Sequence, residues 1–134
     1  MADRSTCKLT IKGLIDKTTW DEIEEMIDVL LAPDECHEDG AYTIFGVNYG
    51  DIPHQLDDKL REVGLSYVWT NDGGTGFSPE IYVYDASAKE FEQYAGFDMR
   101  LIVMSVEEAE DPEFRTNARR WQDFINSKEG LTIV

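Results

Sequence analysis

The stretch 18-TTWDEIEEMIDVLLAPDECHED-39 decides how the rest of the chain is read. Trp20, Ile23, Met26, Ile27, Leu30 and Leu31 recur at helical spacing and predict a helix with one apolar stripe turned to a core. Thr19 and Glu22 stand as a Thr-x-x-Glu capping box at its start, and Pro33 ends it. At about 100° per residue, Asp21, Glu22, Glu25 and Asp28 lie away from the stripe, with Glu24 at its margin. Val29 points outward among these acids. Asp34, Glu35, Glu38 and Asp39 extend the negative field into a loop before Gly40. Between Asp16 and Asp39 the chain carries ten of its 28 acids and one base, Lys17.

Upstream, CKLTIKGLI from Cys7 to Ile15 alternates apolar Leu9 and Ile11 with polar Lys8, Thr10 and Lys12, the period of a half-buried strand. Both lysines read as its outer face. Gly13 loosens the end of that strand or marks a bulge. Downstream, AYTIFGVNY (Ala41–Tyr49) is β-branched and aromatic and predicts a second strand. A second helix follows Asp51 or Ile52, with Pro53 in its first turn, a buried face of Leu56, Leu60 and Val63, and Gly64 as its stop.

LSYVWT (Leu65–Thr70) and EIYVY (Glu80–Tyr84) are strand-like runs joined by NDGGTGFSP, which predicts a hairpin. Ala88 to Tyr94 reads as a short helical turn, and RLIVMS (Arg100–Ser105) as a further strand. From Glu107 to Glu113 five of seven residues are acids, including Glu107, Glu108 and Glu110. Asp111-Pro112 then starts a helix with Phe114, Ala118, Trp121 and Ile125 on its buried face. Arg115, Arg119 and Arg120 sit on or beside its exposed face, where Glu113 or Asp123 offers an intrahelical partner. Gly130 ends the helix, and Leu131 to Val134 add an edge strand. The expected order is β-α-β-α-β-β-β-α: one α+β domain over residues 1–134, with two to three helices on a mainly antiparallel sheet of about five strands. A ferredoxin-like start is one arrangement of it.

A chain of 134 residues with 42% apolar residues and six Phe, six Tyr and three Trp is able to build a core, so its net charge of -16 sits on a folded surface. Such a surface repels nucleic acid and anionic membrane and attracts basic proteins over about 8 to 10 Å. Membrane binding is therefore not expected, nor direct nucleic-acid binding unless a divalent metal intervenes. No apolar run reaches the length of a membrane span and no signal-peptide pattern opens the chain, so a cytoplasmic protein is expected. Cys7 and Cys36 form no CxxC and read as free thiols of a reducing compartment, with a single disulfide between them as the alternative.

Four chemistries are discounted. The loop Asn71-Asp72-Gly73-Gly74-Thr75-Gly76 precedes a strand rather than a helix and lacks Lys-Ser/Thr, so it reads as a turn and not as a phosphate cradle or calcium loop. Cys36-His37 among acids falls short of a zinc site, which needs ligands that only His54 or Cys7 could add. No GxSxG elbow or Cys–His signature is present, and no carboxylate pair stands out. Tyr67, Trp69, Phe77, Tyr82 and Tyr84 form no single-strand platform, because residues 65–99 hold one base, Lys89, and six acids. No enzyme, cofactor or metal is expected.

The expected function is a protein–protein interaction module whose acidic face docks on a basic, nucleic-acid-binding complex. Asp21, Glu22, Glu25, Asp28 and Val29, with Asp34, Glu35, Glu38, Asp39, Glu107, Glu108 and Glu110, are its candidate contact residues. The alternatives are an acidic domain whose charge serves solubility or salt adaptation, or a small metal-binding or enzymatic module resting on the Cys36-His37 loop and Asp72. Clustering of the acids favours a patch, since residues 7–15 carry bases and no acid. In size, charge and α+β plan the chain resembles the small acidic inhibitors that phages and mobile elements direct against host defence, the anti-CRISPR and antirestriction proteins. That resemblance lies in overall type rather than in a motif. It implies inhibition of a host complex, in several such proteins by mimicry of DNA.

Overall fold

The alternation of Leu9 and Ile11 with Lys8, Thr10 and Lys12 builds β1 (Ser5–Ile15), the strand from which the sheet is organised. A computed structural model describes residues 5–31, 35–39, 41–48, 51–73, 78–96, 101–127 and 129–134. On one side β1 runs antiparallel to β3 (Ala41–Asn48), from Ser5↔Asn48 to Ile11↔Tyr42. On the other it runs antiparallel to β4 (Ser66–Asn71), from Cys7↔Asn71 to Lys12↔Ser66. At Gly13 the backbone takes φ +132°, and a Cβ there would meet Leu65 Cδ2 at 2.9 Å. Past this point the strand changes partner: Gly13 to Ile15 run parallel to β8 (Leu131–Ile133). The expected terminal strand is therefore present, joined to the end of β1.

The remaining ladder is antiparallel: β2 (Glu35–Asp39) on β3, and β4 on β5 (Glu80–Asp85), β6 (Glu90–Gly96) and β7 (Ile102–Val103) in turn. Together these give an eight-stranded sheet in the order β2-β3-β1-β4-β5-β6-β7, with β8 off that path beside β1. The class expected from the sequence holds, but the number and order of strands do not. The strand that follows α1 is β2, antiparallel to β3, which is itself antiparallel to β1, so β1 and β2 run parallel with β3 between them, as a ferredoxin-like start requires.

Helices cover both faces. α1 (Lys17–Leu31) and α2 (His54–Glu62) share one core with Leu9, Ile11, Ile44, Tyr67, Trp69 and Tyr82, built around the fully buried Trp20, Ile23, Ile27, Leu56 and Leu60. Each such side chain contributes about 1.5–3 kcal/mol of burial. On the opposite face Val68, Ile81, Val83 and Tyr94 pack against Ala118 and Trp121 of α4 (Pro112–Asn126). The alternation within β4 and β5 explains this: Tyr67, Trp69, Tyr82 and Tyr84 feed one core, while Val68, Ile81 and Val83 feed the other.

Several local expectations are corrected. Asp16, not Thr19, caps α1: the Thr19 amide donates to Asp16 Oδ2 at 2.9 Å and its hydroxyl to Asp16 Oδ1 at 2.8 Å. These bonds lower the Asp16 pKa, the Thr19 backbone contributing most. The acidic run expected as a loop is β2, because pairing with β3 gives its backbone the hydrogen bonds a loop would leave to water. Ala88 to Tyr94, expected as a helical turn, instead enter β6 from Glu90 onward, reached by a tight turn in which Asp85 Oδ1 accepts from the Ser87 amide and hydroxyl. Of the acids from Glu107 to Glu113, Glu107, Glu108 and Glu110 belong to a short helix, α3 (Val106–Glu110), while Asp111 caps α4 and Glu113 lies in its first turn. Only Ile102–Val103 of the expected strand 100–105 pairs, Arg100 lying outside the described residues. Helix α4 starts at Pro112 as expected but ends at Asn126, before Gly130. Lys12, read as outward, is 4% exposed because α4 lies across its face.

Candidate functional site

The outward side of α1 is where composition and geometry agree. Asp21, Glu22, Glu25 and Asp28 are all exposed, while the opposite side is anchored by Trp20, whose ring meets Tyr42 edge-on at 4.7 Å. Val29 stands 77% exposed among these carboxylates. Two of the acids have partners, one within α1 and one from α2. Lys17 Nζ lies 2.6 Å from Asp21, and Lys59 Nζ, on α2, lies 3.3 Å from Glu22. Glu25 and Asp28 form no ion pair among the described residues, so their charge faces outward uncompensated.

Between α1 and α2 runs an open groove of about 580 Å³. Its apolar part comes from Met26, Val29 and Leu30, its rim from Glu22 and Glu25, and its far wall from Gln55 and Lys59. An apolar strip bordered by carboxylates suits a segment bearing both apolar and cationic side chains. Gln55 and Lys59 were not legible as site residues, since only the packing of α2 beside α1 brings them there.

The other predicted contacts divide. Asp34 lies outside the described residues. Glu35, Glu38 and Asp39 lie on β2, opposite Phe45, Tyr42 and Ala41, at the edge of the sheet. Glu107, Glu108 and Glu110 are on α3, which packs with α4 on the face of the sheet away from α1. The two acidic segments therefore do not form one surface. Glu108 is engaged within the fold: its Oε1 accepts from the Ser105 amide at 3.0 Å, and its own amide donates to Ser105 Oγ at 3.1 Å. The signal was present in the sequence as Ser105-x-x-Glu108.

Other polar clusters are committed to packing. Tyr67 and Arg61 both donate to Asp57 Oδ1 at 2.7 Å, and the Arg61 guanidinium stacks 4.5 Å over Tyr84. Burial, then the bond to Asp57, raises the Tyr67 pKa. Tyr82 meets Asp51 at 2.6 Å and also Glu80, and burial followed by these acids raises its pKa. His54, Asp57 and Asp58 bring ligand atoms within 4.8 Å of one another, but His54 is exposed and Asp57 already serves two donors. The side chains of Cys36 and His37 lie outside the described set, as do residues 74–77 of the glycine-rich loop. The described start of that loop turns at Gly73 (φ +76°), whose amide donates to Asn71 Oδ1 at 2.9 Å. Tyr67, Trp69, Tyr82 and Tyr84 are buried core residues. Among the described residues no helix is long and apolar enough to cross a membrane. No family model, curated protein or solved structure matches the chain.

Proposed function

We propose that the chain is an acidic protein–protein interaction module that docks on a basic, nucleic-acid-binding host complex through α1 and inhibits it, in the manner of an anti-CRISPR-like inhibitor. The observation that carries this reading is the outward face of α1: exposed Asp21, Glu22, Glu25 and Asp28 around an exposed Val29, beside the α1–α2 groove. Four carboxylates lie within about 10 Å of helix axis, a spacing within a factor of about two of a duplex at one phosphate per ~1.7 Å, and two of them, Glu25 and Asp28, are uncompensated among the described residues. A basic site built for phosphates would accept them. A face that only solvates the protein has no use for an outward valine at its centre, and a groove adds apolar contact that pure charge lacks.

Capture from host lysate tests the reading. The native chain is expected to retain a basic nucleic-acid-binding complex and release it at high salt, and the Glu25→Lys/Asp28→Lys variant is expected not to retain it. Equal capture by the variant removes α1 as the docking face. Nucleic acid added in excess should compete with the module; if it binds alongside, inhibition by phosphate mimicry is wrong.

A further inference from the structure

On the far side of the sheet from α1, two arginines of α4 stand apart from the ion-paired cations of the protein. Lys17, Lys59, Arg61 and Arg120 each lie against a carboxylate. Arg115 and Arg119 make no ion pair or hydrogen bond among the described residues, in a chain with 28 acids. They stand one turn apart, about 5–6 Å between their Cβ atoms, on one side of the helix. Both line an open groove of about 670 Å³ whose apolar floor is Ile102, Met104 and Ala118. A volume of that size is in the range of small-molecule sites.

We propose that this groove binds a small organic anion, a carboxylate or phosphate carried on a short apolar body, with Arg115 and Arg119 holding the anionic group and Ile102 and Met104 receiving the body. Guanidinium forks match the oxygens of carboxylate and phosphate two at a time, and two forks on one side reach a single group from adjacent turns. Asp123 also lines the groove, one turn beyond Arg119, and repels an anion at that end. The anionic group therefore sits toward Pro112 and Thr116. An added peptide strand is the weaker occupant. It would need the outer backbone groups of β7, and the Ile102 amide already donates to Gln122 Oε1 at 2.9 Å. The inference stands apart from the docking reading of α1, which occupies the other face.

The test is an amide chemical-shift titration of the whole chain at constant ionic strength with phenyl phosphate, benzoate, inorganic phosphate and benzyl alcohol. Saturable shifts confined to residues 102–104 and 112–123, with Kd at or below about 1 mM for phenyl phosphate or benzoate, are expected. Which of the two binds tighter identifies phosphate or carboxylate as the anion. Inorganic phosphate and benzyl alcohol should each bind at least about tenfold more weakly, since each lacks half of the ligand. Arg115→Gln/Arg119→Gln should weaken binding at least about tenfold at unchanged thermal stability, both side chains being exposed. Arg115→Lys/Arg119→Lys should restore charge but only part of the affinity. Non-saturating shifts, equal affinity for inorganic phosphate, or binding unaffected by the glutamine pair would each overturn the proposal.

Discussion

Lys12 places its ammonium 4.8 Å over the ring of Phe124 and donates to that residue's carbonyl, 112 positions later in the chain. The same nitrogen lies 3.3 Å from the Ser127 carbonyl. One strand lysine thus serves the last carbonyls of α4, the groups a helix end leaves without partners, and its charge suits the negative end of the helix. Burial lowers the Lys12 pKa, with the charge of Glu129 opposing the shift.

Replacing Lys12 by Met keeps most of the stem and deletes the donor. The Ser127 carbonyl then loses this donor and the Phe124 carbonyl keeps the Ser127 amide at 3.3 Å, in a site 4% exposed, at a cost of about 1–3 kcal/mol, reduced by relief of the desolvated charge. The urea midpoint is expected to fall with an unchanged slope. A midpoint at or above that of the native chain would show that the lysine is not a cap.

The two sides of α1 should separate in mutagenesis. Trp20→Ala empties a fully buried site and should cost about 3–5 kcal/mol. Trp20→Phe should cost less than its lost area suggests, because the Trp20 Nε1 is buried without a hydrogen-bond partner among the described residues. Glu25→Gln/Asp28→Asn touches two exposed acids without ion pairs and should change stability by no more than about 0.5 kcal/mol. Chemical denaturation of the three variants checks this. A large loss in the acid pair would assign those carboxylates to folding.

What was legible in the sequence follows from which forces are local. The α1 stripe, the α2 stripe with its Gly64 stop, the β4–β5 hairpin and the Asp111-Pro112 start of α4 rest on periodicity and turn chemistry within about a dozen residues. Strand β6 was missed because Phe91 and Tyr94 stand three apart, a helical spacing, and only Tyr94 and Gly96 of that strand are buried. Strand β2 was missed because acids disfavour strands intrinsically, and its ladder with β3 overrides that preference. The burial of Lys12 and the pairing of Glu22 with Lys59 depend on contacts across the fold, which no local pattern carries.

Alkali should unfold the protein through its tyrosines. Burial first, then the charge of Glu92, pushes the Tyr94 pKa from 10.0 up to about 12, and those of Tyr67 and Tyr82 are raised as well. Above pH 10 the unfolded chain releases these protons first, so the folded state binds more of them and stability falls as pH rises. The stabilising contribution is complete below pH 10 and is lost as pH passes through the folded values. Lys12, shifted downward, works the other way and partly offsets this. Denaturation midpoints should drop with a parallel rise in tyrosinate absorbance, and Tyr94→Phe should flatten the part of the fall between pH 10 and 12. A flat profile over that interval in the native chain would contradict the raised values.

Position on the fold, rather than charge alone, should decide which acids bind a partner. Glu107 and Glu110 carry carboxylates as Glu25 and Asp28 do but sit on α3, on the α4 side of the sheet. If the docking face is α1, Glu107→Lys/Glu110→Lys should leave capture of a basic complex intact, while Glu25→Lys/Asp28→Lys abolishes it, although both pairs change net charge equally. Glu108 differs from its neighbours because it completes the capping box with Ser105. Ser105→Ala should therefore destabilise the chain by about 0.5–2 kcal/mol, and Glu108→Ala by a smaller amount, without affecting capture. Equal loss of capture from the α1 and α3 pairs would mean that bulk charge, not a surface, holds the partner, and the docking role of α1 would fall with it.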